Sequence, residues 1–474
     1  MQRINKHSLI GFLAVFFSAT YFVLFEILPV YIMLLPALLL FIKASYLPVF
    51  DYNYAISPLN YFSGIFILNI VVSPVFLFTQ GSYLTSWIEH FNPHFWEYAS
   101  AGLCFMVVCF LFFLLGVKSV LHSKSGLIKL REGQFREISR RRFWLGSIAA
   151  FMLIFLGCSA LVIAAGSLSD LLGVLGVRER ALEIIDTPGN GRYLIWAPGI
   201  GVGLAIIFYF CVIRLQLTEG KATFLAWALF LAFSPFFLFS SGRGTFVLPC
   251  LLLFSVYCSI YKRPSPTSLS YWFLFVPLFF GFFAIYRQSG DLVTDKGLLQ
   301  IFSYTLLDSF SRLDVVIASL AGFHETPLSL DFGETYFFGL FQWLPPWVID
   351  FRSYGGTAQL ARAVYADPFW SDPSGLATFY GLEAYLAFGL FGALLASLLL
   401  GAVAGFLHLQ FCRGGIAGIF SFCLTLQIPI LAAFQIGVVG VIWGVLFPFS
   451  CYWLFVTFLG TFCFPRIRSN VNEE

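Results

Sequence analysis

Few residues in this chain have the chemistry to do more than pack, and those few are arginines, one histidine and a handful of carboxylates. Arg178 and Arg180 precede the turn Pro188-Gly189-Asn190-Gly191, and Arg243 sits between two glycines in Ser240-Ser241-Gly242-Arg243-Gly244-Thr245. Arg287, Arg312 and Arg352 follow, each well separated from the next basic residue. A guanidinium presents a rigid fork of N–H donors suited to phosphate or pyrophosphate, and a glycine-rich turn can add backbone N–H groups. His324 beside Glu325 can act as a general base toward a hydroxyl, and Glu383, in Gly381-Leu382-Glu383-Ala384-Tyr385-Leu386, is a second candidate base. Each has a plainer alternative: an internally paired charge cluster around Arg178, a snorkelling Arg243, a loop histidine at 324, a structural ion pair at Glu383.

The elements that must position these groups are apolar helices. Of 474 residues, 59% are hydrophobic and 11% charged, and phenylalanine occurs 60 times. A soluble domain carries about 25% charged residues, so the composition is that of an all-α, polytopic integral membrane protein. Runs long enough to cross about 30 Å of hydrocarbon recur. The expected spans are 9–25, 27–42, 59–79, 99–117, 143–165, 193–213, 222–239, 246–261, 271–286, 376–407, 416–434 and 436–464, about twelve in all. The first, after Arg3 and Lys6, reads as a spanning helix and not as a cleaved signal.

Loop charge sets orientation. Residues 118–142 hold eight Lys or Arg against Glu132 and Glu137, which places this loop and both termini in the cytoplasm. Residues 80–98, with no Lys or Arg, and the segment 287–374 then fall outside. The chain divides into N-terminal spans (1–286, about nine), a large external segment (287–374) and C-terminal spans (375–474, about three). The external segment has five basic and ten acidic residues, with Trp343, Tyr354, Tyr365, Phe369 and Trp370, a surface suited to sugars and not to nucleic acid. Within it, 298–320 is apolar but interrupted by Asp308, Arg312 and Asp314. It is expected to lie at the outer interface as an amphipathic helix, Asp308 and Arg312 sharing its polar face. The proline-broken 335–349 is expected to be interfacial or re-entrant, and Asp372-Pro373 to begin the helix that carries Glu383 at its outer end. The ten cysteines all lie in or beside apolar runs without a CxxC pair, so neither a disulfide framework nor a zinc site is expected. The near absence of ionisable residues inside the spans argues against an ion-coupled transporter.

These features resemble the bacterial oligosaccharide repeat-unit polymerases, the Wzy-type O-antigen and enterobacterial common antigen polymerases. The resemblance rests on the topology and on four motifs in order. They are Ser241-Gly242-Arg243-Gly244, Tyr286-Arg287, Leu344-Pro345-Pro346-Trp347 followed by Arg352, and Gly381-Leu382-Glu383-Ala384-Tyr385-Leu386 with Phe388-Gly389. In the family a basic residue often follows the proline directly, whereas here Trp347 follows Pro346. The resemblance implies a metal-independent glycosyltransferase of the inner membrane, without cofactor, acting on undecaprenyl pyrophosphate-linked oligosaccharide. It assigns Arg243, Arg287 and Arg352, with Arg178, Arg180 and Arg312, to pyrophosphate or sugar, and His324 or Glu383 to the base. A chain-length regulator is an implied partner. An O-antigen ligase shares topology and substrates, and a lipid-linked oligosaccharide flippase is the alternative of a different class.

Overall fold

The computed structural model describes Ile42, residues 45–49, 57–80, 92–123, 140–174, 311–325, 330, 332–333, 336, 362–364 and 379–413. All regular structure among them is helical. Three helical stretches, Phe95–His122, Ser147–Ala165 and Tyr380–Gln410, are long and apolar enough to cross a membrane. The expected spans 9–25, 193–213, 222–239, 246–261, 271–286, 416–434 and 436–464, and all but Ile42 of 27–42, lie outside the described residues.

The chain forms two compact units. In the first, α1 (Pro58–Ile67) opens on Ser57, whose Oγ accepts from the Asn60 N–H at 3.2 Å, with proline at the first helical position. A hydroxyl cap followed by proline satisfies one orphan donor and removes another. A π-helical turn, Leu68–Val72, joins α1 to α2 (Ser73–Gln80). A 3-10 turn, Phe95–Tyr98, then leads into α3 (Ala99–Ser123). α3 is the axis of this unit: Leu103, Cys104, Val107, Cys109, Phe113, Leu114 and Val117 are fully buried. A helix apolar all round must be surrounded by other helices or by lipid, and here helices surround it. It extends six residues past the expected span, so Lys118 lies on the helix and donates to the Ser45 carbonyl.

In the second unit, α4 (Arg140–Ala165) and α5 (Leu168–Val174) are joined across Gly166, at φ 92°. Ile148, Phe151, Met152, Phe155 and Ile163 of α4 are exposed, while Ala150, Ile154, Ala160, Leu161 and Ala164 are buried. Both faces are apolar, with bulk outside. An outward stripe of large apolar side chains at helical spacing suits a surrounding of hydrocarbon, not water.

Back in the first unit, α6 (Leu313–Glu325) and α7 (Tyr380–Arg413) complete the packing around α3. Two expectations are corrected here. Residues from Ser311 to Ser319, with Ala321 and Gly322, are buried, so α6 is an interior helix and not one lying at a surface. Asp314 is 2% exposed and Arg312 8%. The cause is its neighbours: Ile317 packs against Gly102 of α3, and Gly322 meets the Ala363 backbone so closely that no Cβ would fit.

The second concerns 376–407, expected as a single span. α7 is broken at Phe388 (φ −138°, ψ 19°) and Gly389 (φ 65°, ψ −159°). The Tyr380 hydroxyl bonds the Ser397 Oγ at 3.1 Å, though 17 residues of straight helix would separate them by about 25 Å. α7 is therefore a reversal with two arms, Tyr380 to Ala387 and Leu390 onward. Gly389 adopts a conformation that only glycine enters readily. Along the long arm Leu395, Leu399, Val403 and Phe406 face outward, and Ala393, Ser397, Gly401 and Gly405 face in. Gly401 lies on the Phe113 carbonyl and Gly116 of α3 on that of Leu398, a small-residue seam that brings two backbones together.

Candidate functional site

Ring and glycine contacts fix heights along α3. Phe62 and Phe66 of α1 pack on Phe113 and Phe110, with centroids 5.7 and 5.0 Å apart, so α1 runs antiparallel to α3. Asn69 lies three residues beyond Phe66, about 4.5 Å further on, close to the height of Val107. On the short arm of α7, Gly381 faces the Cys109 Sγ and Tyr385 packs on Phe105 at 5.9 Å. Glu383, midway between them, reaches the same height. The short arm thus runs back along α3 and holds Glu383, 4% exposed, inside the bundle. Glu383 stands in the first turn of α7, at the end of the helix where it was expected, and the reversal lays that turn back along α3.

The third member of this tier is Arg312. Asn69 Oδ1 accepts from the Arg312 backbone N–H at 2.9 Å and from the Ser311 Oγ at 3.0 Å, and Asn69 Nδ2 donates to the Ile65 carbonyl at 2.9 Å. The Arg312 carbonyl accepts from the Val316 N–H at 2.9 Å, making Arg312 the cap of α6. Its Nη1 donates to the Ser311 carbonyl at 2.8 Å, and the Leu313 N–H donates to the Ser311 Oγ at 3.2 Å. Asn92 Nδ2 donates to the Ala318 carbonyl at 3.2 Å, tying the segment before α3 to α6.

Chemically, a guanidinium and a carboxylate held among apolar helices are costly to bury, by about 2.5–3.5 kcal/mol each on insertion scales, unless function or pairing retains them. A low-dielectric setting also strengthens whatever they do to a bound charge. An arginine there can stabilise a departing phosphate, and a carboxylate can accept a hydroxyl proton.

Of the residues singled out in the sequence, the structure brings Arg312 and Glu383 to one tier of one unit. His324 occupies the last turn of α6, a helical position and not a loop; its side chain lies outside the described residues. Arg178, Arg180, Arg243, Arg287 and Arg352 also lie outside them. Sequence reasoning passed over Asn69, which was, with Asn60, one of two amides inside the run 59–79. It also passed over Arg362, on a helical turn whose next residue, Ala363, packs on Gly322 of α6. Among the described residues no three His, Cys, Asp or Glu side chains converge as metal ligands would. Comparison with protein-family models, with curated proteins and with solved structures gives no match.

Proposed function

We propose that this protein polymerises undecaprenyl pyrophosphate-linked oligosaccharide repeat units into a surface polysaccharide at the periplasmic face of the bacterial inner membrane. The observation that carries the reading is the burial of two functional groups, Arg312 and Glu383, at one height beside α3 in a largely apolar bundle that also buries Asn69, Ser311 and Asp314. The motif resemblance supplies the substrate class.

In the proposed reaction the acceptor is a sugar hydroxyl at the non-reducing end of an incoming lipid-linked unit. Glu383 takes its proton as the oxygen attacks the anomeric carbon of the growing glycan. A new glycosidic bond forms, the bond from that carbon to pyrophosphate breaks, and undecaprenyl pyrophosphate departs. Arg312 stabilises the charge that develops on the leaving group, a contribution of about 10²–10³ in rate for a well-placed donor. Arg178, Arg180, Arg243, Arg287 and Arg352 are assigned to the same pyrophosphate or to sugar, and His324 is the alternative base. No metal or cofactor takes part, and a chain-length regulator is the proposed protein partner.

The test is deletion of the gene in its host, with surface and lipid-linked glycans resolved by size. Surface molecules capped by a single repeat unit support a polymerase. Bare core with long lipid-linked polymer would mean a ligase, and single units trapped on the cytoplasmic face a flippase; either overturns the reading.

A further inference from the structure

We infer that Asn69, on the π-helical turn Leu68–Val72, is the positioning residue for Arg312. The inference rests on the proposed function for its readout, but its geometry stands alone. Three polar atoms of the segment that enters α6 depend on this one amide. Oδ1 accepts from the Ser311 hydroxyl and from the Arg312 N–H, and the same hydroxyl accepts the Leu313 N–H. Arg312, the cap of α6, is thus held by a residue 243 positions earlier in the chain, on another helix. Every group is buried: Asn69 is 5% exposed and Ser311 fully enclosed. No solvent can replace the amide, so losing it leaves two buried donors without their acceptor.

The local backbone explains the aim. The Asn69 side-chain Nδ2 donates to the Ile65 carbonyl, four residues earlier, at 2.9 Å, which holds the amide with Oδ1 toward Arg312. A π turn inserts an extra residue into the repeat and is a frequent mark of functional positions. With the peptide held from one side, the Arg312 Nη1 closes on the Ser311 carbonyl from the other, at 2.8 Å. The guanidinium then leaves the backbone in one defined direction.

The experiment uses the deletion host carrying full-length variants at matched membrane levels, and reads polymer ladder per unit of protein. Asn69→Leu is expected to lower output about tenfold or more, in line with misplacement of a catalytic group by a fraction of an ångström to one ångström. In an Arg312→Lys background, where the fork that Asn69 aims is already absent, the same change is expected to cost less than about twofold, since coupled residues are non-additive. A role confined to holding the fold would lower protein level and act equally in both backgrounds, and that outcome overturns the inference. Should Asn69→Leu fail to accumulate, Ser311→Ala decides the matter: a loss of about twofold or more that vanishes with Arg312→Lys supports positioning, and an additive loss or none overturns it. An inactive Arg312→Ala beside a normal Asn69→Leu would sink the inference alone. A normal ladder from Arg312→Ala would sink the phosphate role and the inference with it.

Discussion

Between Ala99 and Val117 both halves of α3 are buried, yet they are packed by opposite chemistry. Around Phe110 to Ser123 the neighbours are Phe62, Phe66, Gly401 and Gly405, and backbone meets backbone. Ala99 to Cys109 packs on Ile317 of α6 and on Gly381 and Tyr385 of α7, and these elements, with Asn69, bury Ser311, Arg312, Asp314 and Glu383, groups that a membrane bundle excludes unless they serve a purpose. The C-terminal half gains tightness from small residues. The N-terminal half holds charge at the expense of easy packing, and the reversal of α7 is what delivers Glu383 to it.

The largest effect expected from breaking this contrast is in the polar half. Glu383→Gln keeps shape and removes the proposed base, and should reduce polymer by about 10²-fold or more at normal protein level, read from glycan ladders. In the apolar half the sign moves to folding. Gly401→Val would drive a side chain into the Phe113 carbonyl, and overpacking of about 1–3 kcal/mol or more should lower detergent melting temperature and membrane yield, leaving activity per molecule unchanged.

Gly389→Ala comes next. No neighbour lies within 4 Å of the added methyl, so the cost is backbone strain alone, about 1–3 kcal/mol, seen as reduced thermal stability. Ser397→Ala removes the partner of Tyr380 that ties the two arms together, and should cost about 0.5–1.5 kcal/mol in the same assay. Leu399→Val, on the outward stripe, should change neither stability nor polymer by more than about 0.5 kcal/mol or its equivalent. A large effect there would mean that this face is covered by something other than lipid.

Among the described residues the apolar helices were legible because hydrophobic run length is a direct physical requirement of the bilayer. The spans 99–117 and 143–165 coincide with α3 and α4 to within a turn at most points, and 59–79 follows the helical path from Pro58 to Gln80. The two differences have separate causes. Run length cannot distinguish a straight helix from one that doubles back, and the signal at Phe388-Gly389 is two dihedral pairs, not a change in hydropathy. For α6 the three charges at 308, 312 and 314 suggested a water-facing side, whereas its apolar residues are buried on every face and Arg312 is held by an amide 243 residues away. At the site, Arg312 and Glu383 were readable as isolated charges in apolar surroundings. Asn69 was not, because its role exists only in the pairing with a segment remote in sequence.

The measurement that bears most directly on the polar half as the functional centre is the glycan profile of the Arg312→Ala protein, expressed in the deletion host at wild-type membrane level. The expected profile is that of the deletion itself, surface molecules carrying one repeat unit, with unchanged detergent melting apart from about 1–2 kcal/mol. A wild-type ladder from that protein would contradict the account.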